Sequence, residues 1–308
     1  MTAQHTNALQ QLLVDGSFEG DVYPNEPMSR HTSYRIGGNA RFYVQVFTLS
    51  ALTDLLSVCE ENLIEWVIVG KGSNLLVSDE GFAGVVITLG DDFRSYVFDE
   101  ERSCFIVGAG FTLGTLVQEA FKRSLAGLEF AVGTPGTVGG ALRMNAGSRD
   151  EWIGSRVISV TTFVPGQGLK RYLGSDIEWS YRSSSFGPEE VIVECEIAVE
   201  SNPTSYIRGK MEAQLAKRKK SQPLNLPSCG SVFKNPPQHS AGAMIEEVGL
   251  KGFAIGGAQV SELHANFIVN TGGARARDVV DLIVLVQEKV KESYGIELQP
   301  EVRFLGFA

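Results

Sequence analysis

A serine in the segment PSCGSVFKNP, residues 227–236, has neighbours that could give its hydroxyl a chemical role. Ser231 follows a glycine and precedes two apolar residues, a lysine and an Asn-Pro turn. Such a hydroxyl could serve as a nucleophile, a phosphate ligand or an acid, or it could only stabilise the turn. A hydrolase triad is disfavoured, because the segment lacks the Gly-x-Ser-x-Gly turn and no obvious acid orients the nearby His239.

Two glycine-rich stretches could surround a flat or anionic ligand. GKGSNLL, residues 70–76, follows a predicted buried strand, and successive backbone N–H groups in such a loop form a concave anion site. An ordinary β-turn explains this stretch equally well. GTPGTVGG, residues 133–140, is too rich in glycine and proline for a good helix or strand, and MNAG, residues 144–147, continues the pattern. Because apolar residues interleave with these glycines, a ligand-binding loop is favoured over a flexible one.

Two other patterns have simpler interpretations. GAGFTLG, residues 108–114, has the spacing Gly-x-Gly-x-x-x-Gly instead of that of a dinucleotide fingerprint, so a tight strand-to-helix turn is favoured. KRKK, residues 217–220, ends a predicted helix, where cations interact favourably with the helix dipole. A solvated helix end is the simpler interpretation, and Arg218 facing a diphosphate is the alternative.

The composition indicates an ordinary globular enzyme of two or three compact units. The chain has 308 residues, 43% of them hydrophobic and 20% charged, and a net charge of −9 that disfavours nucleic-acid binding. Its four scattered cysteines form no Cys-x-x-Cys pair, so we expect neither a metal site nor disulfides. The sequence shows no signal peptide and no apolar run long enough to span a bilayer, so we expect no membrane attachment and a cytoplasmic location.

Hydrophobic periodicity predicts alternating strands and helices that would position these stretches. Ser50 is the expected N-cap of the first of these helices, and residues 70–83 are predicted to be a loop. Strands are predicted at residues 41–46, 66–70, 84–89, 191–199, near 252–260 and 266–270, and at 301–305, with hairpins at 95–110 and 157–172. Helices are predicted at residues 50–62, near 112–124, and at 204–220, 241–248 and 275–293.

Seven stretches together resemble one protein family, and their order and spacing are more specific than any one stretch. From about residue 28 onward, the chain resembles the UDP-N-acetylenolpyruvoylglucosamine reductase (MurB) family, in the shorter form that lacks a segment carrying a substrate-binding tyrosine. The stretches are HTSYRIGGNA (31–40), VGKGSNLLVSDEGFAGVVI (69–87), GLEFAVGTPGTVGGALRMNAGS (127–148), WSYRSSSF (179–186), QPLNLPSCGSVFKNP (222–236), GGAQVSELHANFIVN (256–270) and QPEVRFLG (299–306).

The resemblance implies a flavoenzyme of peptidoglycan synthesis, with FAD bound non-covalently and NADPH as the reductant. The expected reaction reduces the enolpyruvyl ether of UDP-N-acetylglucosamine to the lactyl ether, which gives UDP-N-acetylmuramate. The implied fold is α+β, with a two-subdomain FAD-binding unit of the vanillyl-alcohol-oxidase/PCMH type and a C-terminal α+β substrate-binding domain. We expect FAD-binding subdomains at 1–90 and 91–201, a substrate-binding domain at 202–308, and a monomer that binds a small nucleotide sugar.

The resemblance also implies which residues bind the cofactor and the substrate. GKGSNLL is expected to hold the FAD pyrophosphate, and the later glycine-rich stretch is expected to line the cofactor. Residues expected to contact FAD are Arg35, Gly70, Lys71, Gly72, Ser73, Asn74, Leu75, Gly133, Thr134, Pro135, Gly136, Gly139, Gly140, Asn145 and Gly147. Residues expected to contact the substrate are Tyr181, Arg218, Lys234 and Asn235.

Three positions match the catalytic residues of the family. Delivery of a hydride to the vinyl carbon leaves negative charge on the substrate carboxylate, and the Arg182 guanidinium could grip that group bidentately. Ser231 matches the proton donor, since even a weakly acidic hydroxyl can protonate a strongly basic enolate carbon. Glu301 matches the catalytic glutamate, and the tail strand is expected to place it on one face with Arg303.

The opposite face of the tail strand is expected to bury Val302 and Phe304. A solvated strand end remains the simpler interpretation of Glu301. For the whole chain, two alternatives to the reductase stay open. One is a flavin oxidase of the same fold that passes electrons to oxygen, and the other is a non-enzymatic protein that senses a nucleotide sugar.

Overall fold

The protein is described by a computed structural model that covers residues 9–13, 17–148 and 150–307. Both of its compact units contain helices and strands, as the predicted α+β class requires. The predicted domain boundaries after residues 90 and 201 stay predictions. The first unit consists of Met1–Pro24, Phe42–Gly70 and Gly84–Ala216, and the second of Asn25–Arg41, Lys71–Ala83 and Lys217–Ala308.

The regular elements follow the predicted order closely. None of the helices within the described ranges is both long and apolar enough to cross a membrane. The strands are β1 (Gly20–Pro27), β2 (Asn39–Val46), β3 (Trp66–Ile68), β4 (Leu75–Val77), β5 (Phe82–Leu89), β6 (Tyr96–Asp99), β7 (Cys104–Gly108), β8 (Leu125–Ala126), β9 (Val157–Val164), β10 (Gly168–Leu173), β11 (Trp179–Ser180), β12 (Ser183–Ser184), β13 (Val191–Ala198), β14 (Glu200–Ser201), β15 (Ala254–Ile255), β16 (Ala258–Val260), β17 (Ile268–Asn270) and β18 (Arg303–Leu305).

The α-helices include those that the hydrophobic periodicity predicts, and Leu49–Glu61 and Ala276–Tyr294 bury apolar residues at helical spacing. Residues 9–13 are also helical. The α-helices are Leu49–Glu61, Leu113–Lys122, Val138–Arg143, Thr204–Ser221, Ala241–Glu247 and Ala276–Tyr294. Short 3-10 helices lie at Met28–Arg30, Asp91–Arg94, Glu129–Ala131, Ile153–Arg156 and Gly174–Asp176.

The first unit contains a five-stranded antiparallel sheet in the order β10-β9-β13-β7-β6. Its central strand β13, VIVECEIA, is buried along most of its length, as its β-branched residues predict. The two predicted hairpins are confirmed as the pairs β6–β7 and β9–β10. A four-stranded sheet has the order β1-β2-β5-β3.

The second unit packs around the helix Ala276–Tyr294. Val279, Leu282, Val286 and Val290 recur at helical spacing on one face and are fully or almost fully buried. This face contacts the hairpin strands β15 and β16 of a three-stranded antiparallel sheet, β15-β16-β17. The second unit also holds the parallel pair formed by β4 and β18.

Three local expectations are wrong for physical reasons. Thr48, not Ser50, caps the helix Leu49–Glu61, because its side-chain oxygen accepts a hydrogen bond from the backbone N–H of Ala51 at 3.2 Å. Residues 70–83 are not a continuous loop, since they contain β4. Gly139 lies inside a short helix, Val138–Arg143, where a Cβ atom would come within 2.9 Å of Ala109 Cβ, so close packing outweighs its low helix propensity.

The tail strand also differs from its prediction. It begins at Arg303, so Glu301 precedes it and the expected shared face of these two residues does not follow from strand geometry. Val302 is buried as expected, but the Phe304 side chain is 42% exposed and contacts the Phe307 ring, with ring centroids 5.5 Å apart. The other strand of this sheet, β4, is buried throughout, whereas β18 pairs with β4 on one edge only and leaves Phe304 exposed.

The N-terminus of the long helix is held by an aspartate from far along the chain. The Asp79 carboxylate accepts hydrogen bonds from the backbone N–H groups of Ala276 at 2.8 Å and Arg277 at 3.0 Å. These N–H groups have no partner within the helix, and the negative charge interacts favourably with the helix dipole. Asp79 therefore fixes the segment that follows β4 to the core of the second unit.

We expect Asp79→Ala to lower the free energy of unfolding by about 1–2 kcal/mol, because two helix N–H groups lose their acceptor. Urea unfolding followed by circular dichroism measures this loss. Asp281→Ala is the matched control: the exposed Asp281 carboxylate of the same helix pairs with the Arg277 side chain at 2.9 Å, and its loss should cost less than about 0.5 kcal/mol. Equal costs for the two variants would contradict the capping role.

Candidate active site

A short backbone pairing in the second unit brings Ser231 alongside Glu301. The backbone N–H of Glu301 donates to the Val232 carbonyl at 2.7 Å, and the backbone N–H of Lys234 donates to the Gln299 carbonyl at 2.9 Å. The side chains of Ser231, Lys234 and Glu301 are all half-buried. Because Val232 follows Ser231 directly, the predicted proton donor and the predicted catalytic glutamate lie on neighbouring segments.

The segment that carries Ser231 is fixed by a buried asparagine that sequence reasoning did not single out. The Asn266 side-chain amide bonds both backbone groups of Phe233. Its Oδ1 accepts the Phe233 N–H at 2.9 Å, and its Nδ2 donates to the Phe233 carbonyl at 2.8 Å. The Asn266 carbonyl also accepts the backbone N–H of Val232 at 2.8 Å. Burial lowers the pKa of His264, which favours the neutral ring whose Nδ1 accepts the Asn266 N–H at 3.2 Å.

Glu301 is also tied to the loop that is expected to hold FAD. The Asn74 side-chain Nδ2 donates to the Glu301 carbonyl at 3.0 Å, and the backbone N–H of Arg303 donates to the Asn74 carbonyl at 3.0 Å. Strand β4 begins directly after Asn74 and pairs with β18, with Leu75 opposite Arg303. The structure therefore joins the stretch GKGSNLL to the tail of the chain.

The same loop has the backbone features of an anion site. No described residue accepts a hydrogen bond from the backbone N–H groups of Lys71, Gly72 or Asn74, so these donors remain for a ligand. Gly72 has a left-handed φ of +58°, and a Cβ atom there would lie 2.1 Å from the His31 carbonyl oxygen. The unpaired donors fit the pyrophosphate of FAD, while the glycine itself is required by packing against the protein.

The residues around Gly72 belong to the first of the seven stretches. The backbone N–H of Ser33 donates to the Gly72 carbonyl at 3.1 Å, and the N–H of Arg35 donates to the Thr32 carbonyl at 3.1 Å. Arg35 is exposed and has a left-handed φ of +55°, an uncommon conformation for a residue with a side chain. The structure thus places Arg35 in the loop that packs on Gly72.

In the first unit, the other glycines are used in more than one way. A Cβ atom on Gly70 would lie 2.6 Å from the Thr137 hydroxyl oxygen, so Gly70 is packed against the turn that begins the helix Val138–Arg143. The Thr137 hydroxyl also accepts the backbone N–H of Gly140 at 3.3 Å and caps that helix. Gly133 and Gly136 have φ angles of +70° and +132°, conformations that glycine alone adopts readily.

Arg182 lies at the turn of a small hairpin in the first unit. Strands β11 and β12 pair with Trp179 opposite Ser184, which leaves Tyr181 and Arg182 as the two turn residues. Arg182 has a left-handed φ of +57°, which costs on the order of 1–3 kcal/mol for a residue with a side chain. Its Nη1 donates to the Gly147 carbonyl at 2.8 Å, and its Cζ lies 5.1 Å from the centre of the Tyr181 ring.

A buried amide connects this hairpin to the glycine-rich segment. The Asn145 Nδ2 donates to the Ser180 carbonyl at 2.9 Å, and its Oδ1 accepts the backbone N–H of Gly154 at 3.1 Å. Both ends of the amide are thus bonded within the protein. Gly147 is close-packed as well, since a Cβ atom there would lie 2.4 Å from Trp152 Cα. Both were predicted to bind FAD, and the structure shows them supporting the Arg182 hairpin.

The remaining predicted substrate residues lie in the second unit. Arg218 is half-buried in the last turn of the helix Thr204–Ser221, and burial lowers the pKa of its guanidinium from the ordinary value. The Asn235 Oδ1 accepts the backbone N–H of Ala241 at 3.0 Å, at the start of the next helix. Lys234 and Asn235 follow the Ser231 segment directly, whereas Tyr181 belongs to the Arg182 hairpin.

The Ser231 segment includes a buried cysteine, Cys229, which neighbours the fully buried Tyr34. Desolvation raises the pKa of the Tyr34 hydroxyl well above its usual value, and the neighbouring Cys229 thiol raises it further. Burial raises the pKa of Cys229 to about 12, and the charge of Glu301 also raises it. Cys229 is therefore a neutral thiol and not a nucleophile, although it stands two residues from Ser231.

No group of three or more His, Cys, Asp and Glu side chains in the described part of the chain is arranged to hold a metal ion. The second unit offers a serine and a glutamate on neighbouring backbone segments and a set of backbone donors, and the first unit offers a guanidinium at a strained turn.

Comparison with known proteins agrees with both halves of this description. Residues 40–166 match the family model for an FAD binding domain, and residues 222–305 match that for the UDP-N-acetylenolpyruvoylglucosamine reductase, C-terminal domain. The UDP-N-acetylenolpyruvoylglucosamine reductase of Heliobacterium modesticaldum is 45% identical over 291 residues, which cover 94% of this chain and 92% of the relative.

Solved structures extend the likeness to the fold. The crystal structure of UDP-N-acetylenolpyruvylglucosamine reductase from Thermus caldophilus aligns with a TM-score of 0.80 at 34% identity, over 93% of this chain and 98% of that protein. A glucose dehydrogenase, Phl p 4.0202, aligns with a TM-score of 0.50 at 15% identity, over 65% of this chain and 44% of its own. This second likeness shows a shared fold alone.

The buried thiols give a test of the site. All four cysteines are buried, and because the pKa of Cys229 is raised to about 12, its reactive thiolate is scarce until the pH approaches that value. We expect iodoacetamide at pH 8 to leave the folded protein unmodified and to alkylate all four cysteines after unfolding in urea. Mass spectrometry measures the labelling. Rapid alkylation of Cys229 in the folded protein would contradict its described environment.

Proposed function

The chain belongs to the UDP-N-acetylenolpyruvoylglucosamine reductase family and is an FAD-dependent oxidoreductase of peptidoglycan synthesis, and from this premise we propose which residues carry out its reaction. The substrate is a nucleotide sugar that bears an enolpyruvyl ether, and the product is UDP-N-acetylmuramate. The observation that carries the proposal is the hydrogen bond from the Glu301 N–H to the Val232 carbonyl, which sets Glu301 beside Ser231.

Ser231 is the residue proposed to protonate the substrate. When bound, FAD supplies the hydride that the reduction requires. The substrate then carries an enolate, whose carbon is basic enough to take a proton from a well-placed serine hydroxyl. The three hydrogen bonds of Asn266 to Val232 and Phe233 support this role, because they hold the backbone next to Ser231 in one conformation.

Glu301 is proposed to act at the same enolate. Its half-buried carboxyl group is carried by a backbone that is bonded on both sides, to Val232 and to Asn74. A carboxyl group held in this way can orient the serine hydroxyl or share its proton. The other glutamate of the same tail, Glu297, is exposed and pairs with Lys291 at 3.2 Å, which suits a surface role.

Arg182 is proposed to bind the substrate carboxylate, where negative charge develops as the hydride arrives. The support is its position in a strained turn, with one N–H group bonded to the Gly147 carbonyl and its guanidinium near the Tyr181 ring. A strained conformation persists only where the surrounding structure holds it, so the turn limits the directions that the Arg182 side chain can take. Tyr181 is proposed to contact the same substrate from the neighbouring turn position.

The nucleotide-sugar contacts are proposed for three further residues. Lys234 follows the Ser231 segment and is half-buried, and Asn235 is exposed and is held by the bond from the Ala241 N–H to its Oδ1. Arg218 carries a positive charge in a partly desolvated position, where a guanidinium binds a diphosphate strongly. These contacts rest on the resemblance and on the chemistry of the three side chains.

FAD is proposed to bind along the two glycine-rich stretches. The backbone N–H groups of Lys71, Gly72 and Asn74, which bond no acceptor among the described residues, support a pyrophosphate contact at the first stretch. At the second stretch, the support is the left-handed backbone of Gly133 and Gly136. Ser73, Leu75, Thr134, Pro135 and Arg35 complete the proposed lining.

NADPH is proposed as the reductant, and a cytoplasmic monomer as the working form. Consumption of NADPH that depends on the enolpyruvyl substrate tests the reductant and separates a reductase from an oxidase that passes electrons to oxygen.

Light scattering of the purified protein tests whether it is a monomer, and cell fractionation tests the cytoplasmic location. A flavin released by acid precipitation would show that FAD is bound non-covalently and would rule out a flavin-free sensor.

We expect Ser231→Ala to leave the reduction of the flavin by NADPH unchanged and to slow the reoxidation of the flavin by substrate. The loss should be about 10²–10⁴-fold, the usual contribution of a general acid. Stopped-flow absorbance measures each half-reaction separately. Cys229→Ala is the control and should keep most of the activity. Equal slowing of both half-reactions by Ser231→Ala would mean that the hydroxyl is not the proton donor.

We expect Glu301→Gln to retain FAD and to lose most of the reoxidation rate, because an amide cannot hold or release the proton. Glu297→Gln, on the same tail, should change little, since its exposed ion pair contributes little. The reoxidation rate and the FAD content of both variants are compared. Similar rates in the two variants, or unfolding of Glu301→Gln alone, would remove the catalytic assignment.

A further inference from the structure

We propose that Asn74 is a positioning residue that acts through Glu301, in addition to any contact of its backbone with FAD. This inference rests on the proposed catalytic role of Glu301. The bond between the Asn74 amide and the Glu301 carbonyl joins residues 227 positions apart in the chain. It therefore holds the carboxyl-bearing residue to the loop that is proposed to bind the cofactor pyrophosphate.

The geometry around Glu301 shows why this bond matters. The N–H of Glu301 is bonded to Val232 at 2.7 Å, and its carbonyl is bonded to Asn74 Nδ2 at 3.0 Å. The two peptide groups that flank its Cα atom are therefore both anchored, so the φ and ψ angles are fixed. Since the Cα–Cβ direction follows from these angles, the two bonds fix the direction in which the Glu301 side chain leaves the backbone.

A second bond makes Asn74 the start of a longer pairing. The Asn74 carbonyl accepts the N–H of Arg303, two residues beyond Glu301, at 3.0 Å. The residue thus contacts the tail on both sides of Val302, whose side chain is buried. The backbone contact survives a change of side chain, but the contact to the Glu301 carbonyl does not. A substitution therefore isolates the positioning bond from the strand pairing.

The side-chain chemistry is specific to asparagine. An aspartate of the same shape has no N–H to donate and would place a negative charge against the Glu301 carbonyl. An alanine leaves that carbonyl without its donor. Both substitutions keep the backbone N–H group of residue 74, which is the part proposed to face the FAD pyrophosphate. Loss of the cofactor and loss of positioning are therefore separable.

The test compares Asn74→Ala with the wild-type holoenzyme. The flavin is reduced with dithionite, and its reoxidation by UDP-N-acetylenolpyruvoylglucosamine is followed by stopped flow. We expect the FAD content and the rate of flavin reduction by NADPH to stay within about two-fold of wild type. The reoxidation rate should fall about ten- to hundred-fold, because a misplacement of about 1 Å costs as much as 10²-fold. Asn39→Ala, which removes an exposed amide bonded to Asn25, is the matched control and should keep the wild-type rate.

A double-mutant cycle with Glu301→Gln decides whether Asn74 acts through Glu301. If it does, Asn74→Ala should slow reoxidation in the wild type and have almost no further effect once Glu301 is glutamine. A merely structural loss would multiply with the effect of Glu301→Gln. Multiplied effects, loss of FAD, or a wild-type reoxidation rate in Asn74→Ala would each overturn the proposal.

Two further arms keep the outcomes distinct. If Glu301→Gln alone reoxidises at the wild-type rate, the proposed function of Glu301 has failed, and the positioning role of Asn74, which acts through Glu301, fails with it. If Glu301→Gln is slow and Asn74→Ala is not, the positioning role alone has failed. Asn74→Asp carries the same test should the alanine variant not fold, and it is expected to be at least as slow because of the added charge.

Discussion

A parallel pairing between two short strands, Leu75–Val77 and Arg303–Leu305, is the constraint on which the second unit depends. Its backbone bonds extend beyond the strands, since the N–H of Ser78 donates to the Leu305 carbonyl at 2.9 Å. Directly after β18 the packing leaves no room for a side chain, since a Cβ atom on Gly306 would lie 1.9 Å from the Gly81 carbonyl oxygen. The positions of Asn74 and Glu301 at the start of this pairing follow from its register.

The fold could be predicted wherever a segment carries its own pattern. Residues 157–172 and the helix Ala276–Tyr294 show strand and helix periods that depend only on near neighbours, and both predictions are confirmed. Strand β4 could not be predicted, because three apolar residues in a loop have no distinguishing period and their partner is far away. The prediction that Phe304 is buried is wrong for a related reason. Alternating residue types indicate that a strand has two different faces, but they do not indicate whether another element covers each face.

In the candidate site, too, some features could be predicted from the sequence and others could not. The identities of Ser231, Glu301 and Arg182 came from the resemblance, and their roles stay predictions. The role of Asn266 could not be predicted from the sequence, because the spacing of residues does not show which distant backbone groups a side-chain amide will bond. The glycine-rich spacing predicts loops that face a ligand, yet Gly70 and Gly72 are also required by close contact with Thr137 and His31. Glycine content indicates that something approaches closely, and the sequence does not say whether it is a ligand or the protein itself.

The distance of 227 residues between Asn74 and Glu301 has a consequence for how the protein is made. At translation speeds of about 5–20 residues per second, the loop waits on the order of ten to fifty seconds on the ribosome before its partner strand emerges. During that interval β4 has an unpaired edge, which is an opportunity for misassociation. Glu301 reaches its place only when that edge closes, so a nascent chain in which β18 has not yet emerged has the glycine-rich loop without the glutamate that is proposed to act beside it.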